Sequence, residues 1–374
     1  AASDVYKRQL SVRCRRGRHN LHPIRRSILT MNYYLSRNYR DTNSAGNKAK
    51  TDIEDIMADM GFRNAGSPRS FHHGSARAFL ATLASVLKTP INLRRGDILV
   101  IQYPLKKYFT LLCRMAHMRG AKVVTLIHDL GSFRRKALSP SHEISRLSNA
   151  DYIIAHNASM RNWLLEHGLK KPVGELEIFD YLSASEGLSH SSPAPDEAWV
   201  VNYAGSLAMR KNAFLYTLGS KLNDTRITLY GYGFSITDAA GANRFDCAGF
   251  TPSDRLIATA AGQFGLVWDG NSTAACEGAF GEYLRYNNPH KTSLYLRCNL
   301  PVIVWSQSAM APFVKENGIG LCVDSLDNLD ATLTAVTPER YGAMAQAAAA
   351  MSHRLASGHY TRRALSEAIR SLQR

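Results

Sequence analysis

The residues best suited to chemistry gather in one run, Tyr286-Asn287-Asn288-Pro289-His290-Lys291-Thr292-Ser293-Leu294-Tyr295-Leu296. Asn288 is a favoured N-cap type and Pro289 a favoured first helical residue, so the run predicts a helix from there to about Cys298. Its first turn would offer free backbone N–H groups, the hydroxyls of Thr292 and Ser293, the imidazole of His290 and the ammonium of Lys291. A helix N-terminus attracts negative charge and Lys291 adds a whole positive one, so the chemistry to expect is a cradle for a diphosphate. An Asn-Pro pair also caps ordinary surface helices. What distinguishes this one is the apolar run Pro301 to Trp305 directly after it, which places the cradle in an α/β layer, where ligands collect at one end of the sheet.

Further polar groups fall at the carboxyl ends of expected strands. Gly205-Ser206 follows one, with Arg210-Lys211 just beyond; a guanidinium forks across two phosphate oxygens while an ammonium supplies a point charge. Tyr230-Gly231-Tyr232-Gly233 ends the next, where glycine lets a base or ribose approach the backbone and a tyrosine can stack on it. Asp269-Gly270, Glu277 and Glu282 lead toward the cradle. Earlier in the chain, His128-Asp129 closes a strand ahead of Leu130, Gly131 and the basic Arg134-Arg135-Lys136. A carboxylate there suits a general base that deprotonates an acceptor hydroxyl, although an Asp in that place also caps turns. The loop Thr42 to Lys50, with Gly46 and Lys48, suits contact with acceptor or sugar, or is a plain β–α turn. His72-His73 lacks a third ligand at a fitting spacing, so no metal site is expected.

Short β-type runs alternating with amphipathic stretches position these groups, the signature of doubly wound parallel sheets. The expected strands of the first half are 32–36, 97–103, 122–127, 152–155 and 175–179. Those of the second are 199–203, 226–230, 264–268, 301–305 and 320–323. Helices are expected over about 75–87, 141–148, 158–167, 339–355 and 361–372. A Ser-, Pro- and Ala-rich stretch over 183–198 reads as a linker. The expected division is therefore a domain at 31–185, a second Rossmann-like domain at 196–350 and a helical tail at 351–374, the GT-B architecture of two doubly wound domains facing a cleft. No G-x-G-x-x-G follows an early strand and no Walker A sequence is present, against a dinucleotide oxidoreductase or a P-loop ATPase.

The chain of 374 residues is 45% hydrophobic and carries a formal charge of +16. Its six cysteines form no C-x-x-C pair, which suits a reducing compartment. Residues 1–30 hold eight Lys or Arg against Asp4 alone and lack an apolar period. Their opening resembles translated adapter sequence, so the natural start is expected at Met31; a basic targeting arm is the other reading. The remaining +9 favours an anionic partner. No basic-aromatic module of the kind that reads nucleic acid is evident.

The runs Val267-Trp268-Asp269-Gly270, Gly281-Glu282-Tyr283-Leu284, the Tyr286–Leu296 block and Leu300-Pro301-Val302-Ile303-Val304-Trp305 resemble the bacterial β-1,6-galactofuranosyltransferase-like sugar transferases. That group includes glucosyltransferases that extend adhesin glycans. Ser44-Ala45-Gly46-Asn47-Lys48-Ala49 and Ile127-His128-Asp129-Leu130 resemble it too, so the likeness spans 31–374. It implies a GT-B hexosyltransferase that uses a UDP-sugar donor without metal or other cofactor. Gly46, Lys48, Gly205, Arg210, Lys211, Tyr230, Asn288, His290, Lys291 and Thr292 would bind substrate and Asp129 would be catalytic. The acceptor would be a glycan, glycolipid or glycoprotein of the bacterial surface, met in the cytoplasm or at the inner face of the membrane; peripheral membrane contact and a homo-oligomer stay open. Retaining GT-B enzymes commonly carry two glutamates eight positions apart, whereas here Arg285 follows Glu277 and His290 follows Glu282 at that spacing, so the expected transfer is inverting. A nucleotide-binding subunit without turnover, or a basic nucleic-acid-binding protein, are the other classes.

Overall fold

In the computed structural model the described residues are 30–37, 39, 45–71, 75–105, 108–134 and 138–374. The basic stretch 1–29, Thr42 to Ser44, His72-His73 and Arg135-Lys136 lie outside them.

The mainly apolar runs 98–103, 123–127 and 152–155 of the first half are buried on both faces, as the central strands of a covered parallel sheet must be. With their flanking strands they make up the first sheet, β1 (Asn32–Tyr34), β2 (Arg63–Asn64), β3 (Ile98–Tyr103), β4 (Lys122–Ile127), β5 (Tyr152–Ala155) and β6 (Val173–Glu175), all parallel, in the order β2-β1-β3-β4-β5-β6. The second sheet is built from β7 (Trp199–Ala204), β8 (Thr225–Tyr230), β9 (Phe245–Gly249), β10 (Phe264–Val267), β11 (Val302–Trp305) and β12 (Gly320–Val323). It too is parallel, ordered β12-β11-β10-β7-β8-β9. Each sheet therefore reverses its strand order once, between β1 and β3 and between β7 and β10. Crevices open at such points beyond the carboxyl ends of the strands.

Two expectations need correcting here. The strand expected over 175–179 ends at Glu175, because Glu177 takes a positive φ of 71° and turns the chain out of the sheet, with Leu176 and Ile178 buried. The short strands β2 and β9 were not expected; Arg63-Asn64 and Phe-Asp-Cys-Ala-Gly carry no apolar run, and both lie at sheet edges.

One face of the first sheet is covered by the helices Ser75–Asn92, Phe109–Met118, Pro140–Leu147 and Ala158–Glu166. The other is covered by the helix Ala45–Asp59 and by the last helix, His359–Gln373, which returns from the far end of the chain to lie on β5 and β6. The preceding helix, Pro338–Ala356, packs against His290–Arg297 in the second domain. Among the described residues no helix is long and apolar enough to cross a membrane.

Candidate functional site

The second sheet supplies one wall of a crevice at the β7/β10 switch point. Asp269 follows β10 and is almost wholly buried. Its Oδ1 receives the Lys291 ammonium at 2.9 Å and its Oδ2 lies 3.2 Å from that of Lys211. Tyr203, the penultimate residue of β7, places its hydroxyl 2.9 Å from Lys291 Nζ, has Asn212 Oδ1 at 2.7 Å as its shortest acceptor with the Trp268 carbonyl and Asp269 Oδ1 beyond, and carries the ammonium 4.1 Å over its ring. Burial alone would raise the Asp269 carboxyl; Lys291 and Lys211 outweigh it and hold it below the usual range. Burial likewise pushes Lys291 down to about 8, against the pull of Asp269. Two cations on one carboxylate leave one uncompensated positive charge at the helix N-terminus, the electrostatic requirement of a diphosphate site.

The backbone keeps this wall open. Gly205 has φ of 132° and nothing within 4 Å of where a Cβ would stand, while a Cβ on Gly231, φ 148°, would meet the Gly205 carbonyl oxygen at 1.9 Å. Only glycines allow the two loops to lie so close. Arg210 is exposed, its guanidinium 5.2 Å from the Phe280 ring centre, so the adjacent cations part company: Lys211 turns inward and Arg210 outward. Tyr230 is half-buried against the core. The exposed ring is Tyr232, 72% accessible and stacked on exposed Phe250 with centroids 5.6 Å apart.

The cradle itself differs from expectation. The helix runs His290–Arg297 with Pro289 at the cap position and no side-chain cap. Asn288 does not cap it, because its amide is committed across the crevice: Nδ2 donates to the His156 and Glu177 carbonyls, and Oδ1 accepts from Asn157. The Asn288 N–H donates to His156 Nδ1, whose Nε2 donates to the Ile127 carbonyl, so the ring is neutral and burial holds its pKa at about 3. Ser293 donates to the Phe179 carbonyl and is likewise unavailable to a ligand. Thr292 Oγ1 and both ring nitrogens of His290 are buried without a hydrogen-bond partner. The His290 ring packs between Phe179 and Tyr181, and burial, with Lys48 adding to it, pushes its pKa to about 3.

The first sheet supplies the opposite wall at its own switch point. Arg37 follows β1, and Gln102 in β3 meets His128 after β4, Oε1 to Nε2 at 2.6 Å; the Gln102 amide also donates to the Lys50 carbonyl. Burial and the positive Arg37 push Lys50 down to about 8, with Asp129 pulling the other way. His128 is held well below its usual value by burial, then by Lys50. Gly46 lies in the first turn of Ala45–Asp59 with open space around it. Lys48 is engaged by Asp52 and the Leu182 carbonyl, its ammonium 4.9 Å over the Tyr181 ring. The Asp129 turn is held by Glu143, a buried carboxylate that accepts from Gly131 N, Ser132 N, Ser132 Oγ and Tyr103 OH. Leu130 N donates to Tyr283 OH of the second domain, and Phe133 packs on Tyr283 and Tyr286.

The structure thus brings Lys211 and Lys291 together, sets Asp129 with Lys50 on the facing wall, and makes Asn288 a domain seam. Sequence reading missed Tyr203, Arg37, Glu143 and His156, and gave no role of their own to Lys50 and Tyr283. Lys50 ends a loop that was singled out, Arg37 lies shortly before it and Tyr283 stands in a run that carries the family likeness; Tyr203, Glu143 and His156 carry no local signal.

Two Rossmann-like sheets whose carboxyl ends close on one crevice define the GT-B fold of glycosyltransferases. The lipopolysaccharide outer core galactosyltransferase WaaB has it, with a TM-score of 0.60 and 11% identity over 91% of this chain and 99% of that one. WaaG, a glycosyltransferase involved in lipopolysaccharide biosynthesis, scores 0.53 with 12% identity over 89% and 98%. Residues 32–178 match the glucosyltransferase 3-like N-terminal domain and 201–368 its C-terminal domain. The chain belongs to the glucosyltransferase 3-like family and is a glycosyltransferase, as its motifs suggested. It is 32% identical over 343 residues to the β-1,6-galactofuranosyltransferase WbbI of Escherichia coli (strain K12), covering 91% of this chain and 99% of that protein. Glucosyltransferase 3 of Streptococcus gordonii is 26% identical over 284 residues, 73% of this chain and 79% of that one.

Proposed function

We propose that this glycosyltransferase moves a hexosyl group, galactofuranosyl or glucosyl, from a UDP-sugar to a glycan acceptor in bacterial surface polysaccharide or glycoprotein synthesis. The observation that carries the donor assignment is the Lys211–Asp269–Lys291 cluster at the β7/β10 switch point beside a helix N-terminus. The diphosphate lies against Lys211, Lys291 and the open Gly205 loop, with Arg210 at the outer edge. The uracil stacks on Tyr232. Asp129 takes the proton of the acceptor hydroxyl as its oxygen attacks the anomeric carbon; the bond from that carbon to the β-phosphate oxygen breaks, and UDP leaves with the electron pair. Attack and departure on opposite faces invert the anomeric centre. The lysines and the helix N-terminus stabilise the charge that develops on UDP, the role a divalent ion takes elsewhere.

Calorimetric titration of UDP, with uridine as the control that lacks phosphates, tests the donor site. Lys211→Ala removes a charge-assisted contact worth about 1.5–3 kcal/mol, and UDP affinity falls about 10- to 150-fold while uridine binding holds. An unchanged UDP affinity places the nucleotide elsewhere.

A further inference from the structure

The helix Ser75–Asn92 buries Ala78, Val86 and Thr89 against the first sheet, yet turns Leu80, Leu87 and Ile91 to solvent, 60%, 51% and 74% accessible. These sit at helical spacing with Arg77, Ala84 and Lys88, all exposed on that outer side. The adjoining helix Phe109–Met118 packs on the same core and does the same: Leu112, Cys113 and Ala116 face inward, while Leu111, Arg114 and Met118 face out, Met118 being 78% accessible. Arg94, Arg95 and Lys122, exposed near the far ends of these helices, extend the basic ground. An apolar stripe this long is not the ordinary scatter of single surface residues.

The charge on this side is lopsided. Between Ser75 and Lys122 the sequence holds nine Lys or Arg and one acid, Asp97, a segment charge of +8 against +9 for the whole of residues 31–374. Asp97 is buried, and its carboxylate accepts from the Met31 and Arg94 backbone N–H groups. Among the described residues, Arg77, Lys88, Arg94, Arg95, Arg114 and Lys122 form no ion pair within the chain.

We propose that this outer face of the first domain docks on the surface of an anionic lipid bilayer, with Leu80, Leu87, Ile91 and Met118 in the headgroup boundary and the surrounding Arg and Lys on lipid phosphates. The pairing of an apolar stripe with flanking cations is what an interfacial helix requires. Self-association through the same face would set two strongly positive surfaces against each other, so charge complementarity favours the bilayer over a second copy of the chain. Both helices begin beyond the carboxyl ends of the strands they follow, so the docked face runs up to the rim of the crevice and holds the acceptor wall at the membrane.

Flotation of the full chain with vesicles of phosphatidylcholine alone, and with vesicles that include phosphatidylglycerol, tests this. Wild type floats with the anionic vesicles, is released by salt, and binds neutral ones weakly. Lys88→Glu/Arg94→Glu/Arg95→Glu lowers partitioning at least about a hundredfold, at about fivefold per basic residue lost. Leu80→Gln/Leu87→Gln/Ile91→Gln lowers it too, and because those side chains are exposed, melting temperature and UDP affinity stay at wild-type values. Anionic-vesicle binding unchanged in both variants overturns the proposal, as does a wild-type dimer in light scattering that the triple Gln variant converts to monomer.

Discussion

The two walls of the crevice occupy equivalent places, each at the switch point of a parallel sheet, but they are built on opposite plans. On the second wall the charges are matched inside the protein: Asp269 fixes Lys211 and Lys291, and Tyr203 braces Lys291. On the first wall Lys50 and Arg37 stand together as like charges, His128 and His156 are kept neutral by burial, and the Asp129 turn is anchored from behind by Glu143. A preorganised wall suits a ligand of constant structure, a nucleoside diphosphate. A wall whose charges answer one another weakly suits the proton transfer, where protonation must change during the reaction.

The sharpest way to break this comparison is Asp129→Asn. Turnover falls about 10²- to 10⁴-fold, the usual contribution of a positioned base, while UDP affinity stays within a few-fold of wild type. Steady-state kinetics beside calorimetry decides it, and equal turnover moves the base to another carboxylate. Next in size is Lys291→Ala, which lowers UDP affinity about 10- to 150-fold, against little change for Lys50→Ala on the other wall. Because Lys291→Ala also strips Asp269 of a partner, the double variant with Asp269→Asn is the control: it regains melting temperature and not UDP affinity.

A smaller effect follows from protonation. Lys291 is held near 8, below the ordinary lysine value, and a bound diphosphate favours its charged form. Below that pH the ammonium is already present; above it, binding must take up a proton, so UDP affinity falls with rising pH by up to about tenfold per unit. Titrations across that range in wild type show the fall, and Lys291→Ala abolishes it. The smallest expected change is Tyr232→Ala, which weakens uridine and UDP alike by about two- to tenfold if its ring carries the base.

The sheets were legible because strands buried on both faces leave mainly apolar runs, as at Ile98–Tyr103 and Lys122–Ile127, with Gln102, Lys122 and Thr125 as the exceptions. The short edge strands Arg63–Asn64 and Phe245–Gly249 leave none, hence the silence there. The site was legible in residue type and not in pairing. Asn288-Pro289 has the composition of a cap, yet His156, Asn157 and Glu177 lie more than a hundred positions away and claim the amide first. Tertiary partners override local propensity wherever burial leaves a polar group only one place to bond. Lys211, Lys291 and Asp269 could each be picked out as charges at a strand or helix end, whereas the sharing of one carboxylate by both lysines joins three elements and becomes visible only in three dimensions.

The last helix has a practical consequence for anyone recombining such enzymes. Asp180, at the end of the first domain, accepts from the Tyr360 and Thr361 backbone N–H groups, and Tyr181 N donates to Leu355 O, so the outgoing and returning segments are joined side by side. The first domain is therefore not a continuous stretch of gene. A chimera cut once, in the stretch 183–198, would inherit a first domain whose sheet is roofed by a foreign helix. A graft with two junctions, the second near Gly358, keeps the native roof with the native sheet and exchanges second domains between relatives as whole parts.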